Sequence, residues 1–161
     1  MVEAYCATAA AHGVAVPSAY TTAKEIADRV EEARGVQPPA PCHNDLLNAN
    51  FITDSERIWI VDWEYAGMGD RFFDLANFSV NHDFSADENA ELLRLYFGEV
   101  HEDDVRSLTL MRFMSDFREA MWGVVQQGIS ELDFDFAEYA GSHFERLRAT
   151  ADDPAFREAL G

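Results

Sequence analysis

Between about Glu102 and Gly128, Leu110, Met114, Phe117, Met121 and Val124 recur at intervals of three and four residues. That spacing places apolar side chains in one buried stripe along a long α-helix. The flanking sequence supplies further helices. Residues 2–12 are Ala-rich, Pro17 and Ser18 break the chain, and "SAYTTAKEIADRVEEARG" restarts it as a capped helix that stops at Gly35. Asp70 is the expected cap of "RFFDLANFSV" and Asp87 that of "ENAELLRLYFGE", while "DFAEYAGSHFERLRAT" and "PAFREAL" close the chain. The acids at 102–104 form the negative first turn of the long helix. Only "NFIT" and "RIWIVDW", β-branched and aromatic runs around "DSE", read as strands of a short hairpin. The "VQPPAP" that precedes them is held extended by its prolines. The expected fold is therefore mostly α with one small β-hairpin (α+β), as a single domain over residues 1–161.

With 48% apolar residues and twelve phenylalanines, the chain has the material for a packed core. A formal net charge of −18 repels phosphate backbones and anionic lipid, so neither nucleic acid nor membrane is an expected partner, and it attracts small cations. General solubility accounts for most of those charges. Cys6 and Cys42 have no CxxC or CxxH spacing, which argues against a disulfide framework or zinc knuckle and for a reducing, cytoplasmic setting. The first basic residue is Lys24, so the N-terminus lacks a signal peptide's basic region, and no apolar run approaches the roughly 20 residues of a membrane span.

The chemistry is concentrated between Pro41 and Phe78, where His43, Asp45, Asn50, Asp62, Glu64 and Asp74 sit among apolar strand and loop residues. A buried carboxylate without a partner is costly, so these acids need a reason. Asp62 ends the second strand of the hairpin that begins beside Asn50, and a hairpin returns its ends to one another. Two carboxylates and an amide oxygen make a hard-oxygen set suited to Mg²⁺ rather than zinc. An Asp, an Asn five residues later and a second Asp downstream follow the order used in phosphoryl transfer, in which the first orients or deprotonates the attacking hydroxyl and the others hold metal. Asp45 is then the catalytic base, and Asn50 and Asp62 the metal ligands.

The pair "HNDLLNAN" and "IVDWEYAG" resembles the signature of the choline and ethanolamine kinases and the related aminoglycoside phosphotransferases, which share a protein-kinase-like fold. "MWGVVQQGISELDFDFAEYA" is similar to a choline-kinase segment further on. The resemblance implies ATP as co-substrate, Mg²⁺ as cofactor, Asp45 as base, and Asn50 and Asp62 as magnesium ligands. It places Glu64, Tyr65, Trp122 and Tyr139 around a small cationic, hydroxylated substrate. Such rings attract a quaternary ammonium by about 0.5–2 kcal/mol each. Without the resemblance, Trp122 and Tyr139 read as core aromatics; with it, pocket and core weigh evenly. Two positions depart from the family: Glu119 stands where a second pocket tryptophan is expected, and Asn81 where a further acid is. Glu119 lies three residues before Trp122, which predicts a carboxylate beside that ring, suited to a cation but not to choline in particular. His43 and Asp74 are expected as structural support, and His82, His101 and His143 have no assigned role.

A kinase also needs strands, a phosphate-covering loop and a strand lysine to hold its nucleotide. Lys24 is the single lysine, and neither a GxGxxG nor a Walker motif occurs. The 161 residues are therefore expected to be the C-terminal helical lobe of a protein-kinase-like phosphotransferase, without the N-terminal nucleotide-binding lobe and inactive, or nearly so, alone. Its substrate is choline-like, with ethanolamine, an aminoglycoside or another hydroxylated amine left open. The alternatives are a non-catalytic binding module or truncated pseudo-enzyme for a cationic metabolite or partner, and a metal-dependent phosphohydrolase. The last is least favoured because such sites recruit more His and Asp ligands. A homodimer through the apolar face left by the absent lobe is a further expectation.

Overall fold

Helix punctuation in the sequence becomes helix boundaries in the computed structural model, which describes residues 1–161. The Ala-rich start forms α1 (Val2–Ala11), and the chain restarts after Pro17 as α2 (Ala19–Arg34). Gly35 ends α2 with φ +62°, a left-handed conformation that glycine adopts without steric cost. Asp70 caps α3 (Arg71–Asn81), its Oδ1 accepting the Phe72 N–H at 2.9 Å. Arg34 pairs with the other oxygen of Asp70, so one carboxylate serves both the cap and an ion pair.

The cap of α4 (Ala86–Phe97) is Ser85 rather than the expected Asp87. Ser85 and Glu88 form a reciprocal capping box, with the Glu88 N–H donating to Ser85 Oγ at 3.3 Å and the Ser85 N–H donating to Glu88 Oε2 at 2.8 Å. Asp87 instead lies in the negatively charged first turn. Replacing Ser85 by alanine is expected to cost about 1 kcal/mol, measured as a shift in urea unfolding.

The strands form two antiparallel pairs. The expected hairpin is β2 (Phe51–Thr53) with β3 (Ile58–Ile60), in the register Phe51 opposite Ile60. Asp54 builds its turn by accepting the Glu56 and Arg57 N–H groups, each at 2.8 Å. A second ladder joins β1 (Ala40–Cys42) to β4 (Gly67–Gly69), with Pro41 opposite Met68. This ladder lies outside the expected single hairpin. Its short strands hold one proline, Pro41, and two glycines, Gly67 and Gly69, residues depleted in strands.

Contacts divide the chain into two compact units, residues 1–33 with 113–161, and residues 34–112. In the first, α2 buries Ala23, Ala27 and Val30, while Phe117 meets Tyr20 at 5.8 Å and Phe113 stacks on Phe156 at 5.3 Å. Phe156 belongs to the terminal helix α7 (Pro154–Leu160), which follows α6 (Phe136–Asp152). Each fully buried phenylalanine contributes about 1.5–3 kcal/mol. In the second unit, Phe78 packs against Phe51 and Phe84, each at 5.3 Å, and Phe72 stacks on Phe97 at 5.5 Å.

The long helix is α5 (Glu102–Ile129), and it buries more than one stripe. Every residue from Ser115 to Val125 except the half-buried Trp122 is buried. The charged residues on the remaining sides can be enclosed because they have partners. Asp116 pairs with Arg146 and accepts from His143 Nδ1 at 2.9 Å, and Glu119 pairs with Arg118.

Candidate active site

The second unit holds the segment from His43 to Asp62. One face of α3 organises its beginning. Asp74 accepts the backbone N–H groups of His43 and Asn44 at 2.6 and 2.7 Å, and Asn77 Oδ1 accepts that of Leu46 at 2.6 Å. Asn77 is fully buried and the sequence reading passed over it, although its place three residues after Asp74 puts both on one helix face. Asn44, between them, has φ +64°, a region that Asn tolerates better than most residues. Burial and the neighbouring charge of Asp74 push the Cys42 thiol up to about 11, so it stays an uncharged part of this support.

His43 is buried and makes two hydrogen bonds that fix its tautomer. Nδ1 accepts the Asp45 N–H at 3.2 Å, so the ring proton lies on Nε2, which donates to the Val61 carbonyl at 2.9 Å. The imidazole thereby ties the loop to the end of the hairpin, and the Trp63 ring lies 4.5 Å from it.

Asn50 makes the second tie. Its Nδ2 donates to the Asp45 carbonyl at 2.9 Å and to Asp45 Oδ2 at 3.1 Å, which orients the amide so that Oδ1 is its other polar face. The Asn50 carbonyl accepts the Val61 N–H at 3.0 Å, so the hairpin brings Asn50 level with Val61 and next to Asp62 in the chain. Asp62 is exposed and has φ +63°. A non-glycine residue held in that region stores strain, which the surrounding structure must hold in place.

Glu64 and Tyr65 follow on an exposed turn between β3 and β4, where the Tyr65 carbonyl accepts from Asn44 Nδ2 at 3.0 Å. This unit thus gathers His43, Asp45, Asn50 and Asp74 through direct hydrogen bonds, and Asp62 through its neighbour Val61. The chemistry of the donor set fits a hard cation: an amide oxygen from Asn50 and a carboxylate from Asp62, without a cluster of three His, Cys, Asp or Glu side chains. Mg²⁺ takes few protein ligands and keeps waters and phosphate oxygens for the rest, so donors of these types suit it.

Glu119, Trp122 and Tyr139 come together in the first unit. Tyr139 donates its hydroxyl to Glu119 Oε2 at 2.9 Å, and its ring meets Trp122 edge-on at 5.7 Å. Arg118 Nε and Nη2 donate to Glu119 Oε1 at 3.1 and 2.7 Å. Both oxygens of Glu119, expected as a substrate contact, thus have partners within the chain, and the residue is buried. Burial, then the charge of Glu119, holds the Tyr139 phenol well above the ordinary tyrosine range, so it remains a hydrogen-bond donor.

Mostly helical architecture with small antiparallel sheets, a loop braced by α3 and an Asp–Asn–Asp oxygen set define the class of a kinase-like phosphotransferase. Residues 3–109 match the model of the phosphotransferase enzyme family, to which this chain belongs. Ethanolamine kinase 2 of Mus musculus is 30% identical over 81% of this chain and 40% of its own length. Protein LicA of Haemophilus influenzae is 29% identical over 62% of this chain and 39% of its own. The crystal structure of a choline/ethanolamine kinase family protein from Mesorhizobium loti superposes with a TM-score of 0.87 at 34% identity, covering 99% of this chain and 56% of that one. The chain therefore spans well under two thirds of each of these proteins. No helix is long and apolar enough to cross a membrane.

Proposed function

We propose that this chain supplies the catalytic base, the metal-binding oxygens and substrate contacts of a cytoplasmic, ATP- and Mg²⁺-dependent kinase that phosphorylates the hydroxyl of a small cationic amine, choline-like. The observation that carries this reading is the orientation of Asn50. Its amide nitrogen is bound to Asp45, which leaves its oxygen for a metal beside Asp62 and holds the Asp45 carboxylate in a defined position. Asp45 takes the proton of the substrate hydroxyl as that oxygen bonds to the γ-phosphorus and the bond to the ADP leaving group breaks. Mg²⁺, when bound, neutralises charge on the transferring phosphoryl group. The roles of Asn50 and Asp62 are to hold it; Glu64 and Tyr65 in the second unit, and Trp122 and Tyr139 in the first, are the residues proposed to contact the substrate amine.

The exposed apolar side chains Ile52, Ile58, Trp59, Trp63 and Met68 support the packing of further polypeptide on the second unit. In this reading that polypeptide is the nucleotide-binding lobe, and a homodimer forms through these exposed residues only where the lobe is lacking. Light scattering at high concentration checks the dimer, and a monomer would count against it.

The test of the metal assignment is calorimetry of ATP binding to the intact protein over a Mg²⁺ series. Asp62→Ala is expected to remove most of the Mg²⁺ dependence. If that dependence is unchanged, the metal assignment fails, and if neither choline, ethanolamine nor an aminoglycoside binds the unaltered protein, the substrate class fails.

A further inference from the structure

We propose that Glu119 is a positioning residue: it fixes the Tyr139 hydroxyl, so that Tyr139 offers a ligand its ring and not its O–H. This rests on the reading that Tyr139 receives the substrate cation. Helical spacing alone predicts Glu119 beside Trp122 with a free carboxylate, and the structure turns it inward. It is 3% exposed, and its two oxygens divide between partners, Oε1 to the Arg118 guanidinium and Oε2 to the Tyr139 hydroxyl. The guanidinium compensates the buried charge, which lets the carboxylate remain a strong acceptor for the phenol.

The neighbouring turn of α5 is shaped for the same ring. A Cβ at Gly123 would lie 2.8 Å from Tyr139 Cδ1 and 3.1 Å from the Ala140 Cβ, so only a residue without a side chain lets Tyr139 lie flush against the helix backbone. Trp122 then meets the ring from its edge, and Phe134, itself 56% exposed, lies 6.0 Å away. The hydroxyl is held by Glu119, and the ring by Gly123, by His143 with its centroid 4.6 Å away, and by Trp122. In this proposal an ammonium that reaches the half-buried Trp122 and Tyr139 meets aromatic rings, with the Glu119 carboxylate buried behind them. The acid at 119 therefore acts through Tyr139, which separates it from an acid that binds a cation directly.

The two roles predict different outcomes for one pair of variants in the intact protein. Glu119→Leu removes the acceptor and is expected to raise KM for choline about tenfold while leaving kcat within about twofold, a loss matched to one charge-assisted hydrogen bond. Glu119→Gln keeps an acceptor for the Tyr139 hydroxyl but gives up the charge, and is expected to recover most of that loss. The double variant Glu119→Leu/Tyr139→Phe is expected to bind no worse than Glu119→Leu alone. Equal damage from Glu119→Gln and Glu119→Leu would overturn the proposal, because the charge itself would then be the binding group. Additive losses would overturn it as well. Should Glu119→Leu fail to fold by stranding Arg118, Tyr139→Phe removes the same hydrogen bond from its other end and carries the same expectation. Near-ultraviolet circular dichroism reads the placement without a substrate: the aromatic signal falls in Glu119→Leu and is retained in Glu119→Gln. An unchanged signal in Glu119→Leu sinks the positioning role, whereas the expected optical pattern in a protein that binds no amine sinks the proposed substrate and leaves the positioning role standing.

Discussion

Replacing Asp45 by asparagine in the intact protein is expected to lower kcat for choline phosphorylation by about 10³-fold, within the range a general base contributes. The substitution is chosen to separate chemistry from architecture. Asn50 Nδ2 donates to the Asp45 carbonyl and to its Oδ2, and an asparagine at 45 still offers both a carbonyl and a side-chain oxygen. The His43 Nδ1 contact involves the backbone N–H of residue 45 and is also kept. Thermal melting should therefore stay close to that of the unaltered protein while release of ADP at saturating Mg-ATP and choline collapses. Unchanged turnover would remove Asp45 from the role of base.

The second large effect is structural. Asp74→Ala deprives the N–H groups of His43 and Asn44 of their acceptor at once. Hydrogen bonds to a charged group contribute about 1.5–3 kcal/mol each, so a loss of about 3–5 kcal/mol is expected in urea unfolding followed by tryptophan fluorescence. Asp74→Asn retains one acceptor oxygen and is expected to lose about half as much. A loss below about 1 kcal/mol for the alanine variant would mean that water replaces the carboxylate, and that the loop carries its own conformation.

What could be read from the sequence followed from local signals. The β-branched runs around "DSE" gave the hairpin, Asp70 the start of α3 and Gly35 the end of α2, because each feature is decided by residues a few positions apart. The choice of Asp87 over Ser85 had the same local character: an acid early in a helix is a dipole signal, while the Ser-x-x-Glu spacing marks the cap itself. The β1–β4 ladder joins strands far apart in sequence, and its "GMG" has almost no strand propensity, so tertiary context alone specifies it. The burial of α5 was hidden for a related reason. Asp116 finds its partners His143 and Arg146 on α6, roughly thirty residues away, and a charge is legible as buried only when its partner is known. The order Asp45, Asn50, Asp62 was visible as a pattern of residue types. The direction of the Asn50 amide and the left-handed backbone at Asp62 emerge only once the hairpin is closed.

Asp74 and Asn77 also set a tolerance for insertions. They grip the loop at His43, Asn44 and Leu46 from positions three residues apart on α3, so the helical pitch acts as a ruler against which the loop is measured. One residue added between them would rotate Asn77 by about 100° and advance it by about 1.5 Å, taking its oxygen away from Leu46. Many residues around this ruler can change identity, but the count between its two marks cannot. Across proteins that use the same brace, length should be held between residues 74 and 77 more strictly than chemistry is held on the outer face of α3.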